Sequence, residues 1–453
     1  MSDIPAVAVT PEGSSQRAEQ ATIHGRHRWV VVGVFFVFML LHQSDKLLIA
    51  PLTTPIMETF GINEAKMGAV STVALLVGAI FFPLWGYLYD RYARAKLLSL
   101  ASFLWGASTT LNAVAPTYPL FMGTRAATGI DDASYPGLHS IIADYFGPKV
   151  RGKIYGFLQL TQPLGYLMAM VLGLILGAQI GWRSVFYLTG GLGIVLAGVI
   201  FFTVKEPPRG QSEPELRDLE EISTYRLDWA GAKDLFRKPT MLLLFAQGFF
   251  GVFPWQVITF WIFRYLEVER GYNENEILIT MSAVILILSS GYFVGGALSD
   301  WAFKRTPRGR AIVSTVGVVM GAVLLATALN VPVENRLLFG IMMGLTAVFM
   351  PWPSPNMIAS VYDITLPEVR STALSIQMFI ENAGAALAPW LAGLIAVKAS
   401  LSSALILICS VAWGLCALFY IGVAYLIPRD IQLLRNQCSE RAALERGESA
   451  VQG

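Results

Sequence analysis

The chain has 453 residues, 55% of them hydrophobic and only 14% charged, with a net charge of +2. Soluble domains carry about 25% charged residues, so a water-soluble enzyme or a nucleic-acid-binding module is excluded as the general plan. The three cysteines, Cys409, Cys416 and Cys438, offer neither a metal spacing nor a disulfide framework, and no cofactor is expected.

Residues 1–28 are polar and lack the apolar core of a signal peptide. They are expected to form a disordered cytoplasmic tail. Twelve apolar stretches follow, near 29–50, 67–89, 97–116, 118–143, 153–178, 184–204, 240–263, 277–301, 311–330, 336–361, 371–396 and 402–427. Each approaches the roughly 20 residues needed to span a bilayer. The backbone must satisfy its own hydrogen bonds there, so all twelve are read as helices. A β-barrel would alternate over ~10 residues instead.

The longest polar stretch, 205–239, carries Pro207, Pro208 and Gly210 and reads as a linker. It separates a six-helix half, 29–204, from a second, 240–427, with a tail at 428–453. With both termini inside, cytoplasmic segments hold 25 Lys and Arg and outer loops six. That asymmetry predicts a multi-pass protein of the cell membrane with both termini cytoplasmic.

Charges near a bilayer centre cost about 2.5–3.5 kcal/mol and face a water path or a partner. Six charged side chains are so placed: Asp45, Lys46, Arg125, Asp131, Asp132 and Glu381. His42, Asp45 and Lys46 form an i, i+3, i+4 cluster on the first helix. On the fourth, Arg125, Asp132 and His139 are seven apart, within ~20° of one stripe. Asp131 points ~100° away, toward the second helix or the lipid headgroups, and no role is assigned to it. Glu381 stands alone in the eleventh helix and reads equally as a polar contact or a helix–helix hydrogen bond. A carboxylate that gains or loses a cationic neighbour changes its hold on a proton. Asp45 and Asp132 are therefore the proton-coupling candidates, beside Lys46 and Arg125. The other reading is a static ion-pair network that fixes helix packing.

The second half carries the breaks. In Met350-Pro-Trp-Pro-Ser-Pro-Asn356, three alternate prolines remove backbone donors and interrupt the tenth helix. Such interruptions persist at membrane depth where they line a cavity. Phe253-Pro254-Trp255-Gln256 kinks the seventh helix. Trp255, Gln256, Trp352, Asn356 and Glu381 join His42, Lys46 and Arg125 as substrate-binding candidates. The alternative for the two tryptophans is packing. A charged first half opposite an aromatic second half suits an amphipathic substrate.

The halves repeat one another. Gly86-Tyr-Leu88-Tyr-Asp90 recurs as Gly296-Ala-Leu298-Ser-Asp300, and Asp144…Pro148-Lys-Val150-Arg151 as Asp363…Pro367-Glu-Val369-Arg370. Parallel six-helix repeats are a transporter architecture. Gly86-x-Leu88-x-Asp90-Arg91-x-x-Arg94 resembles the loop signature of the major facilitator superfamily. The resemblance implies a conformational latch of Gly86, Asp90, Arg91, Arg94, Arg151 and Asp300, its arginines pairing across the halves. It also implies that helices 1, 4, 7 and 10 line the cavity.

Ser44-Asp45-Lys46, Arg125-Ala-Ala-Thr-Gly129-Ile-Asp-Asp132-Ala-Ser-Tyr135, Ile142-Ala-Asp144-Tyr-Phe146 and Glu206-Pro-Pro-Arg209-Gly210 are similar to Spinster-type members. Lys46 replaces an arginine and Asp132 a glutamate. Related anion:cation symporters share Asp45, Arg125 and the acid at 132. The resemblance implies an all-α protein of twelve transmembrane helices and a proton-coupled, alternating-access transporter. Its partners would be protons, membrane lipids and a lysolipid-like substrate, and it would act as a monomer. A symporter of small organic anions and a non-transporting receptor with a carrier fold are the alternatives. No Ser/His/Asp, zinc or cysteine constellation marks an enzyme, and Gly190-Gly-x-Gly193 lies within a helix.

Overall fold

The computed structural model describes residues 11–131, 134–146, 154–155, 157–207, 235–365 and 370–451. Among them the chain is helical, with no strand. The first half contains α1 (Pro11–Leu48), α2 (Thr53–Phe60), α3 (Glu64–Arg91), α4 (Arg94–Val114), α5 (Tyr118–Thr128) and α6 (Tyr135–Tyr145). It continues with α7 (Thr161–Met170), a π-turn at Val171–Leu176, α8 (Gly177–Ile180) and α9 (Trp182–Thr203). The second half begins with α10 (Pro239–Arg264), a π-turn at Tyr265–Glu269 and α11 (Glu274–Phe303). It ends with α12 (Gly309–Leu329), α13 (Arg336–Phe349), α14 (Pro353–Asp363), α15 (Arg370–Lys398) and α16 (Leu401–Val451).

Eleven helical spans among the described residues are long and apolar enough to cross a membrane. The twelfth expected segment, 118–143, is the pair α5 and α6. Each has 11 residues, or about 16 Å at 1.5 Å per residue, too short to cross alone. The tenth is likewise two pieces, α13 and α14, parted at Met350–Trp352 where the prolines predicted it. The break in the fourth was not foreseen. It leaves α-helix at Gly129–Asp131, so Arg125 and His139 stand on separate helices, and Asp132 lies outside the described residues.

Helix ends extend past the apolar stretches because polar residues cap them. Asn63 Oδ1 accepts from the Lys66 backbone N–H at the start of α3. Asn273 and Glu276 form a reciprocal capping box on α11. Gly61, with φ +59°, ends α2 in the left-handed conformation. α1 starts at Pro11, inside the tail expected to be disordered. Proline is well placed at a helix start, and helix formers such as Glu12, Arg17 and Ala18 follow it.

Small residues set the closest helix contacts, as membrane packing favours. A Cβ on Gly106 would lie 2.5 Å from the Ile194 nitrogen and 2.6 Å from the Gly190 oxygen. The Gly190–Gly193 run therefore seats α9 against α4. Across the halves, a Cβ on Gly68 would fall 2.4 Å from the Pro389 oxygen, and one on Gly393 2.3 Å from the Glu64 oxygen. α3 and α15 meet there, at the end of the bundle away from the start of α1. One hydrophobic core runs through both halves at that end, joining Leu48, Phe121 and Phe186 to Trp261, Phe263 and Phe339. Nearer the start of α1, the first half has its own core around Phe35, Phe38, Leu98 and Trp105.

Candidate functional site

A cavity of about 700 Å³, counting its mouth, lies between the halves. α1 supplies His42, Asp45 and Lys46, α5 supplies Arg125 and Thr128, and the turn after α5 supplies Asp131. Ser71 and Leu75 of α3 and Trp105 of α4 complete that side. The second half contributes Gln256, Thr259 and Phe260 of α10. Segments 1, 2, 3, 4 and 7 thus line this cavity, and among the described residues none of the tenth is in its lining.

Asp45 is 2% exposed and accepts hydrogen bonds from three neutral donors. Trp105 Nε1 and Thr109 Oγ1 donate to Oδ2 at 3.0 and 2.7 Å, and Thr189 Oγ1 donates to Oδ1 at 2.6 Å. Among the described residues no cation pairs with it, in contrast to the expected pairing with Lys46 or Arg125. Both cations line the same cavity, Arg125 buried and Lys46 half-buried.

His42 is buried too, and both ring nitrogens are engaged. Nε2 lies 2.7 Å from Asp131 Oδ2, and Nδ1 lies 2.6 Å from the Tyr135 hydroxyl. The ring stacks on Phe38 and meets Trp105 edge-on. Asp131, to which the sequence assigned nothing, is 1% exposed and central. Gly129 makes its position possible: a Cβ there would lie 2.1 Å from the Ala74 oxygen. The chain therefore turns hard against α3, where Trp85 Nε1 donates to the Ile130 carbonyl.

The remaining candidates scatter. Gln256 lines the cavity, while its neighbour Trp255 is 39% exposed and is not part of the lining. Trp352 does not line it either. It packs on Gly295 and Gly317 and against Phe349, the packing alternative. Asn356 is buried in α14 and is not in the cavity lining. Glu381 accepts from Gln377 Nε2 at 2.9 Å, one turn earlier on α15, and Gln377 also donates to the Leu244 carbonyl of α10. His139 meets Tyr155 edge-on. Asp132 and Arg151 lie outside the described residues, and for Gly86 and Asp90 only the helical backbone is described.

The expected cross-half latch is different in the structure. Arg94, buried at the start of α4, donates to Ser140, Asp144 and Glu206, all in its own half. Glu206 returns to accept from the Ala95 backbone N–H. A guanidinium tucked under a helix start finds its nearest carboxylates on the neighbouring α6 and the strap after α9. Arg91 instead covers the Tyr87 ring at 4.6 Å. In the second half Arg310, at the start of α12, pairs with Asp300 at 3.3 Å and Asp363 at 3.0 Å. Asp363 is the repeat partner of Asp144, so the repeat could have pointed to Arg310.

The halves are bridged at the opposite end. Arg264 of α10 donates to Glu64 of α3 at 2.8 and 3.1 Å and to Thr54 of α2 at 3.1 Å. Thr54 in turn donates to Glu267 at 2.5 Å.

A family model described as Major Facilitator Superfamily matches residues 34–352. The chain is 30% identical over 418 residues to Protein spinster of Drosophila melanogaster, covering 86% of this chain and 64% of that protein's length. It is 25% identical over 406 residues to the sphingosine-1-phosphate transporter SPNS2 of Xenopus tropicalis, covering 86% and 77%. In fold it is similar to a solved bacterial homolog of the human lysosomal transporter Spinster in an inward-facing, unoccupied conformation. The TM-score is 0.71 at 23% identity, covering 90% of this chain and 98% of that one.

Proposed function

The chain belongs to the major facilitator superfamily and is similar to Spinster proteins; from that premise we propose a proton-coupled secondary carrier of an amphipathic, lysolipid-like molecule. The observation that carries the reading is the mixed lining of one cavity. The first half brings His42, Asp45, Lys46, Arg125 and Asp131 together with the apolar Leu47, Ile49, Leu75 and Trp105, and α10 adds Gln256, Thr259 and Phe260. A charged headgroup suits the ionisable side chains, and an apolar body suits the aliphatic and aromatic part of the same lining. A relative that moves sphingosine-1-phosphate, a molecule with one charged head and one apolar tail, favours the same class.

The mechanism is alternating access, carried out by a monomer in the cell membrane with both termini cytoplasmic. The bridge of Arg264 to Glu64 and the shared core around Phe121 and Phe263 close the outer end. Opening that end requires the halves to rock apart about the cavity. Substrate and proton shift the balance only by binding one orientation better than the other.

A second reading has its own support: Lys46 and Arg125 both line the cavity and could hold a small organic anion. Equilibrium binding to the purified protein separates the two. Saturable binding of a lysophospholipid, weakened at least tenfold in Arg125→Ala, supports the first. Binding of a sugar acid alone replaces it with the second.

A further inference from the structure

We propose that the hydrogen-bonded pair His42–Asp131, joining α1 to the break between α5 and α6, is the group that takes up and releases the coupled proton. The proposal rests on the proton-coupled reading and adds the residues that perform it.

Three observations carry it. First, Asp45 is held by Trp105, Thr109 and Thr189. An indole N–H can only donate, so Asp45 acts as an acceptor in a fixed frame of neutral groups. Second, His42 and Asp131 are both almost fully buried, line the cavity and touch at 2.7 Å. Imidazole is the side chain whose ordinary titration lies between pH 5 and 8. Third, Asp131 sits where the helical hydrogen-bond ladder is interrupted. A residue in a break can move relative to α1 without tearing an intact helix.

The proton balance is simple. In neutral His42, Nε2–H donates to the Asp131 carboxylate, and Nδ1 accepts from the Tyr135 hydroxyl. A proton entering from the cavity binds Nδ1, and the Tyr135 hydroxyl rotates to accept. The product is an imidazolium–carboxylate pair, in which donor and acceptor both carry charge, so the bond is stronger than the one from the neutral ring. Loading therefore clamps α1 to the break, and unloading releases it. Other charged or titratable groups face the pair. Among the described residues they are Asp45 and Lys46 on α1, Arg125 on α5 and Tyr135 on α6; α4 brings Trp105 against the His42 ring, and α3 lines the cavity with the uncharged Ser71, Ala74 and Leu75. Asp132, next along the chain, lies outside the described residues.

Two measurements test the pair. The first needs no substrate: a pH-difference infrared spectrum of the purified protein between pH 5 and 8. The pair predicts a histidine ring band and a carboxylate band that titrate together, both lost in His42→Gln. In Asp131→Asn the carboxylate band is lost and the histidine band remains. A spectrum that is the same in wild type and His42→Gln overturns the proposal. The second uses a labelled lysophospholipid in proteoliposomes and compares uptake with and without a pH gradient. In His42→Gln and Asp131→Asn that ratio falls to about one, whatever the absolute rate. A gradient-driven wild type with equally gradient-driven variants overturns the pair and leaves proton coupling standing. A wild type indifferent to the gradient overturns both.

Discussion

Arg264 and Glu64 lie 200 residues apart and in opposite halves, yet the guanidinium donates twice to one carboxylate oxygen, at 2.8 and 3.1 Å. They form the polar part of the closure whose apolar part is the shared core. Half-buried Arg–carboxylate pairs are stronger than exposed ones because water and salt screen them less. Arg264→Ala is expected to favour the outward-open orientation. Ser71, which lines the cavity, can report this as Ser71→Cys. Labelling by a membrane-impermeant thiol reagent added outside should rise about fivefold when Arg264→Ala is combined with it. The charge swap Arg264→Glu with Glu64→Arg should return it toward the starting value.

Asp45 is tied by three donors from α4 and α9, so its neighbours can be tested one by one. Thr109→Val and Thr189→Val keep shape and remove one donor each. Leaving a buried acceptor short of a partner costs about 1–3 kcal/mol. Both variants should lower the apparent unfolding temperature in detergent, whereas Thr203→Val, whose exposed hydroxyl donates only within its own helix, should not.

Gly129 should tolerate nothing larger. Its absent Cβ would lie 2.1 Å from the Ala74 oxygen, while Gly123, two turns earlier on α5, has nothing within 4 Å. Gly129→Ala is expected to reduce transport at least tenfold by pushing the break off α3 and displacing Asp131. Gly123→Ala should leave transport within twofold of wild type. Equal effects at the two positions would contradict the geometry.

Arg125 lines the cavity, and Glu381 does not. Arg125→Ala should therefore reduce uptake far more than Glu381→Gln, by about tenfold or more against less than threefold. Arg125→Lys should recover only part of the loss, because an ammonium lacks the planar fork. Initial rates at saturating substrate would show the order.

Much of this was legible in the chain. Hydropathy reports burial in lipid, so the segments emerged from composition, and the prolines at 351, 353 and 355 announced the tenth-helix break. The recurring Asp144 and Asp363 motifs exposed the two halves. The fourth helix misled because helical-wheel reasoning assumes an unbroken helix. Once the backbone leaves α-helix at Gly129, spacing no longer fixes direction, and Asp131 turns inward to His42. The donors to Asp45 lie 60 to 144 residues away on apolar helices, and no local pattern links them to it. Arg94 was expected to bridge the halves; nearby carboxylates in its own half bind it first.

The central claim is gradient-driven movement of an amphipathic molecule through the charged cavity. Its most direct test is uptake by the purified protein in liposomes of a labelled lysophospholipid beside a labelled sugar acid, with and without an imposed pH gradient. The account predicts that the gradient accelerates lysophospholipid movement at least tenfold and leaves the sugar acid near background. Gradient-driven uptake of the sugar acid alone, or lysophospholipid movement indifferent to the gradient, would contradict it.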